Sequence, residues 1–427
     1  MTGRRLDDLR AAWIRSDRLF SWLQPEALWA QPIALRQPFI FYLGHLPAFG
    51  WNQACRGVLG RASFAPADDE LFERGIDPRD DQDYRAALTR WPAPGRVIEY
   101  RDRVREALLA CVDEAVARGR ADVLERVIEH ELMHHETLAY MLLRLPHDRK
   151  NRPIAAPVPS GDGAARGGRV RVPGGRVTLG APREGGRFGW DNEFPEQSLD
   201  VAEFQIDALP VRNTEFLEFV ESGGYSRRLL WGDEAWAWLR AGGRSFPAFW
   251  CRPGDQWTYR TMFEDVPLGR VADWPVFVTW SEAQAYARWR GGRLASEAEY
   301  QRAAYGSPTG PERAHPWGAA APSAEHGNFG FRSWTPGPVG THPHGTSAWG
   351  VQDLVGDGWE WTATAFAPLP GFEPMPGYEG YSADFFDGRH YVMLGASWAT
   401  DDRLVRRSFR NWFQPNYPYV FAKFRCV

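Results

Sequence analysis

The first third of the chain repeats apolar residues at helical spacing. Residues 104–117 and 122–145 place hydrophobic side chains every three or four positions, without an internal proline or glycine. Two further helices are predicted over residues 5–23 and 38–55, and we expect Pro47 to kink or divide the second. Four such helices around a polar interior that contains histidines predict a helical bundle.

The hydrophobic pattern changes after residue 145. Residues 146–170 are rich in proline, glycine and charge, which is typical of a linker or a long crossing loop. We therefore predict a helical domain over 1–150, a linker over 151–170 and a second domain over 171–427.

The second domain has little sustained periodicity. Strand-like runs occur at 169–179 and 199–206, and short helical patterns occur at 213–222 and 281–290. The whole chain contains 21 Trp, 43 Gly and 33 Pro, so we expect a loop-rich domain whose core is made of aromatic rings. The predicted fold class is α+β.

Composition then limits the classes of function. The chain has 427 residues with 50 Lys and Arg against 54 Asp and Glu, and its formal charge of −4 excludes a broad basic surface for nucleic acid. Four cysteines without a CxxC pair exclude a disulfide framework and a zinc ribbon. Since no apolar run resembles a secretory signal or a membrane span, we expect a cytoplasmic protein without nucleic-acid or membrane partners.

The clearest chemical signal is the pair His130 and His134 in the segment HELMHHE. Residues four apart lie on the same side of a helix, so both imidazoles face the same way and can bind one metal ion. His135 lies about 100° further round the helix and should not bind the same ion. The alternative is a pair of polar histidines on a helix surface, although the flanks of this helix are strongly apolar.

A third ligand is needed, and two sources are open. The HExxH spacing would make Glu131 the general base of a zinc protease, but Thr137 and Tyr140 stand where one such class has glycine and the third histidine. Upstream, His45 lies inside the apolar segment FIFYLGHLPAFGW. A buried histidine needs a partner, and a metal shared with the histidine pair is favoured over a core histidine bonded to a carbonyl. Imidazole ligands alone suit Zn, Fe, Ni and Cu.

Short motifs along nearly the whole chain resemble one family of enzymes. The LGH and HExxHxE segments resemble those of the ergothioneine-biosynthesis sulfoxide synthases (the EgtB family), and the first half resembles a DinB-type four-helix bundle. The second half resembles the formylglycine-generating enzymes (sulfatase-modifying factors), which have a C-type-lectin-like fold. The matching stretches there are VPGG, FGWDNE, PVRNTE, GGY, PVFVTW, GRLASE, WEWT and GASW.

The resemblance implies a non-haem Fe(II) oxidoreductase that uses O2 to join a chalcogen atom to the imidazole C2 of hercynine (Nα-trimethylhistidine). It implies that His45, His130 and His134 are the iron ligands. The segment SFRNWF resembles the family's hercynine-binding stretch, so Asn411 would bond the imidazole edge and Trp412 would hold the trimethylammonium group. Without the resemblance, Asn411 reads as a turn residue and Trp412 as a core aromatic.

Tyr378 and Tyr381, in the segment YEGY, resemble the family's active-site tyrosines. The resemblance implies that Tyr378 is catalytic, as a proton donor, and that Tyr381 contributes to the substrate site. The alternative for Tyr378 is a tyrosine on a surface loop. The resemblance to the lectin-like fold also leaves a structural Ca2+ open as a further cofactor.

The residues after Trp412 indicate which chalcogen donor the enzyme accepts. Family members that accept γ-glutamylcysteine carry an acidic residue where this chain has Phe413, and those that use free cysteine usually continue with basic residues. This chain has Tyr417, Pro418 and Tyr419 there. We therefore expect Phe413 and Tyr417 to line a pocket for a neutral, hydroxyl-rich donor, which resembles the selenosugar of the selenoneine synthase (SenA) branch.

The sequence thus favours an Fe(II)- and O2-dependent enzyme that forms a carbon–selenium bond between hercynine C2 and a selenosugar. The alternative is an ergothioneine-pathway sulfoxide synthase that joins hercynine to cysteine or γ-glutamylcysteine. A lesser alternative is the HExxH zinc metalloprotease. A formylglycine-generating activity is disfavoured, because Cys426 has no neighbouring cysteine and Cys251 is distant in sequence.

Overall fold

The computed structural model describes residues 2–73, 91–153, 167–184 and 187–427. The chain divides into two units, Met1–Ala155 and Ala156–Val427. Most of the predicted linker over 151–170 lies outside the described residues, and the first strand of the second unit begins at Arg169. No α-helix within the described ranges combines the length and the apolar character that a membrane span needs.

The four longest helices of the first unit correspond to the four predicted ones, and they pack on one another as a bundle. The last of them carries the histidine pair, and its neighbour along the chain begins ten residues before the predicted start, with a proline in its first turn. The helices described in this unit are α1 (Thr2–Ser21), α2 (Phe39–Gly50), α3 (Pro66–Leu71), α4 (Pro94–Ala117) and α5 (Ala121–Arg144).

α2 is buried along its whole length. Pro47 does not divide it: the helix continues to Gly50 and is followed directly by a π-helix over Trp51–Val58. Burial along its whole length stabilises α2 through a position where proline removes one backbone hydrogen bond. Gly44 is required by close packing, because a Cβ at this position would come within 2.5 Å of the Phe72 ring.

In the second unit, each predicted strand-like run is a pair of strands. The first run turns at Pro173 and Gly174, and the second breaks after Val201. The four strands pair as β1 with β4 and β2 with β3, all antiparallel. They are β1 (Arg169–Val172), β2 (Gly175–Leu179), β3 (Gln197–Val201) and β4 (Phe204–Asp207).

The sequence pattern predicts two of the four α-helices described in the second unit. α6 and α8 match the predicted patterns to within one residue, whereas α7 and α9 lie in segments without an assigned pattern. A capping box between Ser296 and Glu299 starts α9, so a local signal at its N-terminus was present. The bounds are α6 (Asn213–Glu221), α7 (Asp233–Ala241), α8 (Trp280–Trp289) and α9 (Glu297–Tyr305).

The largest sheet has the strand order β10-β9-β8-β11, with β11 parallel to β8 and the other pairs antiparallel. β10 is therefore an edge strand, and it contains three of the predicted substrate residues, Asn411, Trp412 and Phe413. The remaining strands form a three-stranded sheet of order β5-β6-β7. The bounds are β5 (Trp250–Cys251), β6 (Thr258–Arg260), β7 (Asp265–Pro267), β8 (Gly358–Ala365), β9 (Tyr391–Ala396), β10 (Asn411–Phe413) and β11 (Ala422–Lys423).

Large rings and buried ion pairs fill the interior of this unit. Five tryptophans are completely buried, and the Arg425 guanidinium makes two hydrogen bonds to Glu360, at 2.6 and 2.9 Å, with both side chains buried. Lys423 is also buried, and its ammonium donates to the carbonyl oxygens of Gly356, at 3.0 Å, and Gly358. The tryptophans are Trp190, Trp274, Trp359, Trp361 and Trp398.

Asp357 lies in this ionic cluster with its carboxyl group out of contact with water. Burial and the nearby Asp353 carboxylate raise the pKa of Asp357 to about 6. Hydrogen bonds from Asn328 and the Gly337 N–H, both at 2.8 Å, act in the opposite direction because they stabilise the ionised form. Ionisation of Asp357 is therefore a net cost to the folded protein.

Replacement of Asp357 by Asn is predicted to flatten the pH dependence of stability. The folded carboxyl group binds protons more tightly than the unfolded one, whose pKa is near 3.8, so stability falls as pH rises between about 4 and 6. A difference of about two pKa units corresponds to roughly 3 kcal/mol. Denaturant unfolding at pH 4 and pH 7 should show this loss in the wild type and not in Asp357→Asn, and equal losses would contradict the prediction.

Candidate functional site

Three histidines of the first unit meet in its interior. His45 comes from α2, and His130 and His134 come from α5, with one ring nitrogen of each within 4.8 Å of the others. The ring centroids lie 4.5 to 5.1 Å apart. In the part of the chain that the structure describes, no other group of three or more histidine, cysteine or acidic side chains has metal-ligand spacing. The structural Ca2+ that the lectin-like resemblance leaves open stays untested.

The imidazole nitrogens of this triad are suited to bind a metal. Among the described residues, three ring nitrogens of the triad have no hydrogen-bond partner. They are Nδ1 and Nε2 of His130 and Nδ1 of His134. Burial lowers the pKa of all three imidazoles, and repulsion from other triad members lowers the pKa of His130 and His134 further. The rings are thus neutral at pH 7, which is the state that binds metal, and a donor set of three imidazoles fits Fe(II).

The orientation of His45 is fixed by the backbone. Its Nδ1 lies 2.8 Å from the carbonyl oxygens of both Phe72 and Glu73, so Nδ1 carries the proton and donates it. Nε2 then keeps its lone pair for a metal, as in most metal-binding histidines. Phe41 stacks on the His45 ring with 4.8 Å between centroids, and Phe49 stacks on His130 at 3.5 Å. These contacts restrict both rings.

Two other polar residues of the HELMHHE segment face α1. His135 Nε2 lies 2.8 Å from the Ser16 hydroxyl, and that hydroxyl donates to the Glu131 carboxylate. Burial raises the pKa of Glu131. His135 therefore lies apart from the triad, as the helical geometry predicts. Glu131 is engaged with α1, and it is not the base beside a metal-bound water that the protease interpretation requires.

In the second unit, Asp191 holds the loop that carries the two predicted tyrosines. Its carboxylate accepts hydrogen bonds from the Ser382 hydroxyl at 2.5 Å and from the Met375 N–H at 3.3 Å. These two contacts bracket Tyr378 and Tyr381 in the sequence. The loop has no regular secondary structure over 375–382, so the carboxylate replaces the hydrogen bonds that a helix or strand would supply.

Glu193, two residues later, holds the segment that leads into β10. Its carboxylate accepts two hydrogen bonds from Arg406, at 2.8 and 2.5 Å, and one from Ser408 at 2.6 Å. It also accepts the Trp190 N–H at 2.8 Å. One turn of the chain thus positions both segments that contain predicted substrate residues.

Tyr378, Tyr381 and Trp412 belong to one aromatic cluster. Tyr381 stacks on Trp190 with 4.1 Å between ring centroids, and Tyr378 lies 5.6 Å from Tyr381. Trp412 meets the edge of Tyr381 at 5.5 Å and stacks on Phe366 at 4.2 Å. All three predicted residues remain half-buried, so parts of their rings are exposed to solvent.

Asn411 and Phe413 lie on the opposite face of β10, since successive side chains of a strand alternate. Oδ1 of Asn411 accepts the Trp412 N–H at 2.8 Å, which leaves Nδ2 as the atom that can donate to a ligand. Phe413 stacks on Tyr417 at 4.9 Å. Tyr417 is only 5% exposed, so it supports Phe413 from below and offers little surface of its own to a donor.

Sequence reasoning missed the residues that hold the predicted ones in place. Phe72 and Glu73 contact His45 through their backbone carbonyl groups, so their side chains give no indication of this role. Asp191 and Glu193 belong to the FGWDNE motif, but the sequence analysis gives neither residue a role. Their hydrogen-bond partners Ser382 and Ser408 lie about 190 and 215 residues further along the chain, so no local sequence pattern can predict these contacts.

Comparisons with known proteins match both units. The DinB superfamily matches residues 8–138, and the sulfatase-modifying factor enzyme 1-like domain matches residues 156–427. A hercynine oxygenase of Mycolicibacterium thermoresistibile is 36% identical over 374 residues, which cover 85% of this chain and 80% of that protein. Ergothioneine biosynthesis protein 1 of Neurospora crassa is 30% identical over an alignment of 513 positions, gaps included, that covers 99% of this chain and 57% of that protein.

The triad is predicted to bind one transition-metal ion per chain. In His130→Ala, one of three ligands is lost, and affinity for Co(II), used as a spectroscopic probe, should fall at least about tenfold. The matched control is His344→Ala, which removes an exposed histidine of the second unit. Undiminished metal binding by His130→Ala, or an equal loss in the control, would contradict the assignment.

Proposed function

Because the chain belongs to the EgtB/SenA-type family, which includes hercynine oxygenases and ergothioneine biosynthesis proteins, we propose that it is an Fe(II)-dependent oxygenase acting on hercynine. The observation that carries the proposal is the triad of buried His45, buried His130 and half-buried His134, which offers three neutral imidazoles to one ion. When bound there, Fe(II) supplies the activation of O2.

The chain's own residues hold the ion and limit the access of water to it. His130 and His134 would bind the ion from one helix and His45 from another. Three protein ligands would leave coordination positions for substrates, as in catalytic metal sites. Phe41 and Phe49 cover two of the rings. Such an apolar surrounding strengthens electrostatic interactions at the site, since the effective dielectric constant is low.

Hercynine recognition is assigned to β10 and the neighbouring tyrosine loop. Asn411 Nδ2 is placed to donate to the acceptor nitrogen of an imidazole. The aromatic cluster of Trp412 and Tyr381 suits a trimethylammonium group, which is attracted to the faces of electron-rich rings. Because β10 is an edge strand, a ligand along its outer rim can meet side chains from both of its faces.

Tyr378 is the proposed proton donor. Its side chain is half-buried, and the Asp191 carboxylate is hydrogen-bonded to the loop on both sides of it, which restricts where the phenol ring can lie. In the overall reaction with a thiol, the C2 hydrogen of hercynine and the thiol hydrogen leave as water with one oxygen atom of O2. The other oxygen atom remains on sulfur as the sulfoxide.

For the chalcogen donor we propose a thiol first, in place of the selenosugar that the sequence favours. The curated relatives are hercynine oxygenases and ergothioneine biosynthesis proteins, which supports the sulfur chemistry. The selenosugar is the second candidate because of one observation: half-buried Phe413, supported by Tyr417, stands where a charged residue would serve a zwitterionic thiol. Aromatic faces commonly bind sugars.

Asn411→Ala is predicted to weaken hercynine binding. Removal of the Nδ2 donor costs one hydrogen bond, which corresponds to a loss of affinity of about tenfold. Calorimetry with hercynine under anaerobic conditions measures this, and Gln414→Ala, an exposed residue just beyond β10, is the control. An unchanged dissociation constant in Asn411→Ala would show that the amide does not contact hercynine.

Donor competition tests the proposed reaction itself. The Fe(II)-loaded protein receives hercynine and O2 with cysteine, γ-glutamylcysteine and a selenosugar in parallel, and the products are identified by mass. We expect a hercynine sulfoxide from one of the thiols and no product from His130→Ala. Turnover of the selenosugar alone would replace sulfur by selenium in the proposal, and turnover of no donor would overturn the proposal.

A further inference from the structure

Asp69 is a completely buried carboxylate of the first unit to which the proposed reaction gives no role. It lies in α3 and accepts hydrogen bonds from Trp51 Nε1 at 3.0 Å, the Ser63 hydroxyl at 2.6 Å and the Tyr100 hydroxyl at 2.8 Å. The Arg56 guanidinium lies 3.6 Å away. Such a set of donors fully satisfies an ionised carboxylate in the interior.

These partners connect α3 to the helices around the metal centre. Trp51 and Arg56 belong to the π-helix that continues α2, the helix of His45, and Tyr100 belongs to α4. Asn52, also in the π-helix, donates to the backbone carbonyl of Asp69 at 3.2 Å. One side chain of α3 therefore fixes this short helix against two long ones.

The end of α3 is in turn the hydrogen-bond partner of a proposed metal ligand. α3 ends at Leu71, and the next two carbonyl groups, those of Phe72 and Glu73, each lie 2.8 Å from His45 Nδ1. Asp69 is only three residues before Phe72, which is about one helical turn. A shift of α3 would therefore move the carbonyl groups away from the imidazole.

We propose that Asp69 is a positioning residue for the metal centre. Its carboxylate holds α3 where the carbonyl groups of Phe72 and Glu73 accept the Nδ1 proton of His45, and this contact directs Nε2 toward His130 and His134. The identity of the metal rests on the proposed function. The orientation of His45 does not, because the hydrogen bonds exist within the chain itself.

The test compares two neighbouring carboxylates of α3. Asp69→Asn keeps the size of the side chain but turns an NH2 group toward at least one of the donors. Asp68→Asn is the matched control, since Asp68 pairs with Arg96 at 2.9 and 3.0 Å, and the Arg96 side chain is 61% exposed. Co(II) affinity and the His45 Nδ1–H proton signal of the metal-free, 15N-histidine-labelled protein are measured for each.

Asp69→Asn is expected to bind Co(II) about 10- to 100-fold more weakly than the wild type and to lose the protected Nδ1–H signal of His45. Asp68→Asn should match the wild type in both respects. Equal affinity and an unchanged proton signal in Asp69→Asn would overturn the inference.

Two further outcomes keep the test decisive. If the wild type binds no metal, the proposed function fails, while the Nδ1–H signal of the metal-free protein still decides the role of Asp69. If Asp69→Asn does not fold, Ser63→Ala and Tyr100→Phe each remove a single donor to the same carboxylate. Both should weaken Co(II) binding and the Nδ1–H signal, and wild-type behaviour in both would overturn the inference.

Discussion

The close approach of three neutral imidazoles inside the helical bundle is the constraint around which the first unit is built. A buried ring nitrogen without a partner costs free energy, and a charged imidazole in the same place would cost more. Burial lowers the pKa of His45, His130 and His134, so the site avoids the charge but keeps three lone pairs. A metal ion bound to these lone pairs would compensate for this cost, in keeping with the proposed function.

The rest of the bundle serves to hold that arrangement. α2 has no polar face, Gly44 admits the Phe72 ring, and the carbonyl groups after α3 fix the tautomer of His45. In the second unit, the residues proposed to bind substrate lie on loops and on an edge strand, so they must be held in place differently. There, the buried carboxylates of Asp191 and Glu193 supply the hydrogen bonds that regular secondary structure supplies elsewhere.

Sequence patterns predicted the parts of the molecule that repeat locally. The four bundle helices and the facing pair His130 and His134 follow from periodicity, and the apolar surroundings of His45 identified it as a candidate third ligand. The early start of α4 was missed because its first turns are largely polar. Asp69 read as an ordinary acidic residue of a short helix, and only the fold shows that its partners come from three other segments.

The residues proposed to bind substrate illustrate the same limit. Asn411, Trp412 and Phe413 were identified through resemblance, but the strand that they form had no pattern of its own, so their alternation between two faces was not foreseen. Tyr417 was expected to line a pocket, yet the structure buries it under Phe413. The proposed site for the chalcogen donor depends on such contacts between segments. A local sequence pattern does not predict them.

X-ray absorption at the iron edge of the anaerobic, Fe(II)-loaded protein tests the central claim most directly. Scattering from imidazole rings is distinctive, and it counts the histidine ligands without any turnover. The account predicts three imidazoles in the wild type and two in His45→Ala if iron is retained. Fewer than three imidazoles in the wild type, a sulfur ligand, or an iron environment unchanged by His45→Ala would contradict it.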